Sequence, residues 1–208
     1  LLNIFLKGLL IGFSIAAPVG PIGVLCIRRT LAEGRAAGFV SGLGAATADA
    51  FYGSVAGFGL AFISGFLISQ GEWLRLLGGT FLIYLGIKTA LARPTEATPG
   101  ESPPARAGGL LGAYASTFFL TLTNPLTILS FAAIFAGLGI GSQTSGGFLS
   151  PALLVLGVFS GSGAWWFLLS GAASWMRGRL GERSLQWVNR LSGAVILFFG
   201  LAALGSLL

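Results

Sequence analysis

Asp49 lies in the apolar stretch 37–64 and is the one acidic residue set deep in any such stretch of the chain. A carboxyl group there can carry a proton, pair with a cationic group or, kept neutral, tie two helices together by hydrogen bonds. Gly38, Gly42, Ala45, Ala46, Gly53, Ala56 and Gly57 recur around it at three- and four-residue spacings. On a helix this places Asp49 on the small-residue face that packs against other helices and away from lipid. Tyr52 neighbours it in sequence and is a candidate substrate contact.

Two further stretches carry polar groups into apolar surroundings. In "SIAAPVGPIGVLCI", Pro18 and Pro21 remove backbone donors, while Gly20 and Gly23 tolerate the dihedrals of a local unwinding. In "FFLTLTNPLTILSF", Thr123, Asn124 and Pro125 form a second break, with a carboxamide able both to donate and to accept. Freed amides and carbonyls are costly in lipid unless they face protein or a water-filled cavity. The positive N-terminal end of each following half-helix favours a carboxylate. Pro18, Gly20, Pro21, Thr123, Asn124 and Pro125 are therefore candidate substrate-binding residues, the alternative being a helix merely kinked against small neighbours.

The elements that must position these groups follow from composition. Hydrophobic residues make up 54% of the 208 and charged residues 9%, against about a quarter charged in a soluble domain. That is the composition of an all-α integral membrane protein. Apolar stretches at 4–27, 37–64, 73–92, 110–137, 151–175 and 187–207 each suffice for a span of about 20 residues, which predicts six transmembrane helices with helices 1 and 4 broken. The first stretch reads as a true span and not as a cleaved signal peptide. Ten of the twelve basic residues, Arg28, Arg29, Arg35, Lys88, Arg93, Arg106, Arg177, Arg179, Arg183 and Arg190, fall in or beside the first, third and fifth connections; Lys7 and Arg75 do not. Basic residues in short loops stay cytoplasmic, so both termini are expected outside. Lys7 is expected to snorkel, and the loop arginines to fix topology and meet anionic lipid.

Residues 93–108, rich in Pro, Ser, Thr and charge, read as a cytoplasmic linker between a first three-helix unit, 1–92, and a second, 109–208. The two units resemble each other. "EWLRLLGGTFLIYLGIKTAL" (72–91) aligns without gaps on "QWVNRLSGAVILFFGLAALG" (186–205), pairing Gly79 with Gly193 and Gly86 with Gly200. "LGAATAD" (43–49) aligns on "LGVFSGS" (156–162), and each unit opens on a proline-bearing break. Trp165 takes the position facing Tyr52 in this alignment, which makes it a further candidate contact. A repeat with an odd number of spans must be inverted in the membrane, as in many secondary transporters.

With no histidine, one cysteine and one deep acid, no metal-ligand cluster, thiol pair or Ser/His/Asp set can be assembled from the spans. We expect neither an enzyme nor a cofactor. The net charge of +6 would suggest a nucleic-acid partner in a soluble protein, but here the basic residues report topology, and the expected partners are a small-molecule substrate and membrane lipid.

The stretches "PVGPIGVLCIRRTLAEGRAAGFVSGLGAATADAFYG" and "TFFLTLTNPLTILSFAAIFAG" closely resemble the LysE/RhtB family of bacterial amino-acid exporters, and the likeness runs over nearly the whole chain. The resemblance implies a six-helix inner-membrane protein, often a homodimer, that exports amino acids or related small metabolites using the ion gradient. Gly20 and Pro21 match the family's Pro-Gly-Pro break, in which Val19 replaces the first proline; Asp49 matches the acid of the second helix; Leu126 stands where many members carry lysine. Two other readings stay open from the residues: a small-cation or metal exporter of a related inverted-repeat type, and a membrane scaffold whose breaks only shape packing.

Overall fold

The computed structural model describes residues 1–18, 20–58, 69–91, 109–124, 127–131, 148–177 and 182–207. Every element bounded among them is an α-helix: α1 (Leu2–Ala16), α2 (Pro21–Glu33), α3 (Arg35–Gly57), α4 (Gly71–Ala90), α5 (Gly109–Leu122), α6 (Leu149–Arg177) and α7 (Glu182–Gly205). Residues 127–131 are also helical. Val19, Pro125, Leu126, the linker 93–108 and the expected second span beyond Phe58 lie outside the described residues.

The first predicted break is a sharp one. α1 ends at Ala16, α2 begins at Pro21, and the two axes differ by 81°. Pro21 is the first residue of α2, where its missing N–H costs nothing and its fixed φ starts the helix. The connection after α2 differs from expectation. Residues 28–33 continue the helix, and Gly34 alone makes the turn into α3 with φ 104° and ψ 166°, a conformation that L side chains rarely adopt. Ala, Leu, Arg and Glu are good helix formers, so the segment "RRTLAE" has no local reason to unwind into a loop.

α3 is the hub, packing on α5 and α6 along its length and on α2 near its start; α1 lies on α6, α4 on α7, and α2 also reaches α6 and α7. Small residues permit this. A Cβ at Gly38 would strike the Thr30 side chain of α2, one at Gly44 the Tyr114 carbonyl of α5, and one at Gly42 the Trp166 side chain of α6. Where the alternative to helix contact is lipid, van der Waals contact at small-residue faces supplies the association.

Helix directions can be read from the same contacts. Gly8 lies against Leu154 and Gly157, and Gly161 against Leu9 and Phe13, so α1 and α6 run the same way. Gly79 meets Gly200 and Gly86 meets Gly193, so α4 and α7 run oppositely. α6 (Leu149–Met176) and α7 (Arg183–Gly205) are each long and apolar enough to cross a membrane, and α1 with α2 qualify together as one bent unit. α3 has 23 residues, about 34 Å at 1.5 Å rise, but carries Ser, Thr and Asp because its faces meet other helices.

Candidate functional site

The site is built outward from Asp49. Its side chain sits where α3 crosses α6 and is 3% exposed. Ser162 of α6 donates from Oγ to Asp49 Oδ2 at 2.7 Å, and Trp166, one turn further along α6, donates from Nε1 to Ser162 Oγ at 3.1 Å. Burying a carboxyl group without partners is expensive; here α6 supplies one. The slot for the indole is cleared by Gly42, two turns before Asp49 on α3.

Tyr52 leaves Asp49 and goes to the second break. Its hydroxyl donates to the Leu122 carbonyl, the last residue of α5, and its ring lies 5.6 Å from that of Phe131. The backbone there tightens before the proline: the Thr123 N–H reaches the Phe119 carbonyl at 3.0 Å, and the Asn124 N–H reaches Thr121 at 3.2 Å. The Asn124 carbonyl then accepts from Ile128 at 3.2 Å. Thr123 Oγ1 folds back onto the Phe119 carbonyl at 2.9 Å, the ordinary fate of a helical threonine.

At the first break Gly20 is the residue before α2, in extended backbone with φ −96° and ψ −164°, and no side chain caps the helix. A Cβ at Gly20 would meet nothing within 4 Å, so this backbone borders open space. Pro21 is buried and Pro18 exposed. Ile22, one residue into α2, shares a core cluster with Ala45, Ala46 and Trp166, which brings the start of α2 beside the stretch of α3 that leads to Asp49.

Of the expected contacts, then, Asp49, Tyr52 and the second break are joined through α3, and Gly20 and Pro21 lie at the start of a helix packed with Ala45, Ala46 and Trp166. Trp165 is directed elsewhere: its ring meets Phe13 of α1 edge-on at 5.4 Å. The tryptophan on the Asp49 network is its neighbour Trp166, 100° away around the helix. Ser162 was the other residue not singled out from sequence. The alignment of 43–49 on 156–162 already sets it opposite Asp49, and that was the signal that could have found it.

Two arginines also depart from expectation. Arg28 and Arg29, placed at the lipid surface by sequence, are 6% and 8% exposed. Because they belong to α2 and not to a loop, they point into the bundle. Arg29 Nη1 donates to Ser41 Oγ at 2.8 Å and to the Ala113 carbonyl at 2.9 Å, and Nη2 to Ser116 Oγ at 2.8 Å. Arg28 Nε donates to Asn189 Oδ1 at 3.1 Å and Nη1 pairs with Glu33 at 3.3 Å. Together they pin α2 to α3, α5 and α7. Arg35 is exposed, its guanidinium 4.6 Å above the Phe167 ring.

Among the described residues no three His, Cys, Asp or Glu side chains come together as a metal site. A bundle of apolar helices, two of them long enough to cross a membrane and a third such unit bent, is the architecture of a membrane protein. The family model described as LysE type translocator matches residues 13–206, and the chain belongs to that family of transporters. It is 31% identical over 204 residues to the Bacillus subtilis (strain 168) protein named "Putative amino acid efflux protein YcgF", covering 96% of this chain and 94% of that one. It is 32% identical over 181 residues to "Uncharacterized membrane protein YahN" of Escherichia coli (strain K12), covering 84% and 77%. No solved structure matches the chain.

Proposed function

We propose that this transporter exports an amino acid or a related small zwitterion across the bacterial inner membrane, driven by the proton gradient. The observation that carries the reading is the enclosed Asp49 carboxyl group, joined by a single hydroxyl to α6 and flanked along α3 by the two helix breaks. A zwitterion presents one anionic and one cationic end. The uncapped start of α2 beside Gly20 suits the carboxylate, and Asp49 suits the ammonium group or the coupling proton. The name of the Bacillus subtilis relative points to the same substrate class.

The helix pairings support six spans arranged as two inverted repeats. Exchanging the aligned halves turns the Gly79–Gly200 contact into the Gly193–Gly86 contact. It also turns α1 on α6 into α5 on α3, and it sets Asp49 opposite Ser162, the residue that it bonds. The antiparallel run of the related helices α4 and α7 favours inversion over a parallel repeat. With basic residues concentrated at one end, the same path leaves both termini outside.

Expression in a strain poisoned by accumulated amino acids tests the reading. Restored growth together with outward movement of a labelled amino acid is the expected result, and Asp49→Asn removes both. Growth rescue that persists in Asp49→Asn refutes the role of this residue, and failure to move any amino acid refutes the substrate class.

A further inference from the structure

Many hydroxyls in these helices share a habit from which Ser162 departs. Ser41, Thr47, Ser54, Thr117, Thr121 and Ser170 each donate to the carbonyl four residues earlier, at 2.5–2.8 Å, as serine and threonine in membrane helices commonly do. Ser162, wholly buried on α6, instead sends its proton across to Asp49 Oδ2 on α3. The acceptor accounts for the difference: Ser41 and Thr47 also accept a bond, from Arg29 and Tyr114, and still donate to their own backbone, whereas Ser162 faces the Asp49 carboxyl group across the helix contact. An indole N–H can only donate, so Trp166 Nε1 occupies a lone pair of Ser162 Oγ and leaves the serine's single proton for another acceptor. Gly42 is the companion adaptation on α3, since any Cβ there would collide with the Trp166 side chain.

We infer that Ser162 and Trp166 are positioning residues for Asp49: the donor-only indole orients the hydroxyl, the hydroxyl holds Oδ2, and Oδ1 is left as the oxygen that meets the transported cationic group or proton. This rests on the export reading above and adds to it which oxygen is held and by what. The chain is polar in one direction, from α6 to α3, and three buried residues make it: Trp166 at 5% exposure, Ser162 at 0% and Asp49 at 3%. A carboxyl group fixed at one oxygen presents the other in a constant direction, which is what a site between packed helices needs when the solute and not the side chain must move.

The test uses the full chain, purified in detergent and expressed in cells, in the variants Ser162→Ala, Ser162→Thr, Trp166→Phe and Asp49→Asn. Infrared difference spectra identify the Asp49 carboxyl bands as those lost in Asp49→Asn. Ser162→Ala removes the hydrogen bond to this group and Trp166→Phe removes the bond that orients its donor; each is expected to displace those bands and to slow amino-acid efflux about tenfold, at normal amounts of folded transporter. Ser162→Thr, which keeps the hydroxyl, restores both readouts. Trp166→Phe keeps the ring in its slot, so a purely packing role predicts native bands and efflux. Native efflux in Ser162→Ala and Trp166→Phe, with Asp49→Asn inactive, overturns this inference and leaves the export reading standing. Native efflux in Asp49→Asn overturns the reading and the inference together.

Discussion

Gly161 and Gly163 are two residues apart on α6 and meet opposite surroundings. A Cβ at Gly161 would collide with the Leu9 carbonyl oxygen of α1 and lie 2.8 Å from its carbon and 2.9 Å from the Phe13 nitrogen; a Cβ at Gly163 would meet nothing within 4 Å. Ordinary carbon contacts are about 3.5–4.0 Å, and the obstructing atoms are backbone, so no rotamer change relieves the clash. Gly161→Ala must push α1 from α6 by about 1 Å or more, a gap that forfeits roughly half of each contact's attraction. Overpacking of this kind costs about 1–3 kcal/mol. Alanine also gains about 0.8–1.0 kcal/mol over glycine within a helix, but both variants share that gain, so their difference isolates the clash. At about 2–4 °C per kcal/mol for a chain of this size, Gly161→Ala should melt roughly 2–12 °C below Gly163→Ala. Fluorescence-detected size exclusion after a heating series, in one detergent and at one protein concentration, measures the difference. Equal midpoints, or a lower one for Gly163→Ala, would refute the packing of α1 on α6.

Three other positions, Arg29, Tyr52 and Gly34, carry predictions of their own. Arg29→Ala leaves a void at the α2, α3 and α5 junction and is expected to cost about 2–4 kcal/mol. Arg29→Met should recover most of that, because Ser41 and Ser116 keep carbonyl acceptors at Ala37 and Ala113 and a buried charge is removed with its bonds; paired melting curves decide. Tyr52→Phe removes the donor to the Leu122 carbonyl, worth about 1–3 kcal/mol for a buried acceptor, and should speed amide hydrogen exchange at Thr123 and Asn124 while leaving α7 unchanged. Gly34→Ala forces a side chain onto φ 104°, costs about 1–3 kcal/mol, and should lower the melting midpoint more than Gly205→Ala, where a Cβ meets nothing within 4 Å.

Much of the architecture was legible because lipid imposes it. The stretches 151–175 and 187–207 correspond to α6 over Leu149–Arg177 and α7 over Glu182–Gly205, since in those segments apolar length alone defines the helix. The first break was legible for a similar reason: prolines at 18 and 21 with glycines at 20 and 23 leave the chain little choice. The turn at Gly34 was not, because the basic residues beside it have the composition of a cytoplasmic loop and also good helix propensity, and packing against α3 decides between the two. Arg28 and Arg29 followed from that error: once in a helix, they face Asn189, Ser41 and Ser116 and not lipid.

The candidate site was legible in its acid and its breaks and obscure in its supports. Asp49 announces itself by charge, but a serine on a membrane helix most often bonds to its own backbone, so Ser162 carried no separate signal outside the repeat alignment. The choice of Trp165 over Trp166 shows the limit of that alignment. One residue is 100° of helix, enough to exchange a ring packed on Phe13 for an indole bonded to Ser162.

Proton-driven export can be measured with purified protein in proteoliposomes under an imposed pH gradient, followed with a panel of labelled amino acids. At least one amino acid is expected to move with the native protein, a protonophore to stop it, and Asp49→Asn to stop it at full reconstitution. Gradient-driven movement at the native rate in Asp49→Asn would show that export does not run through this carboxyl group.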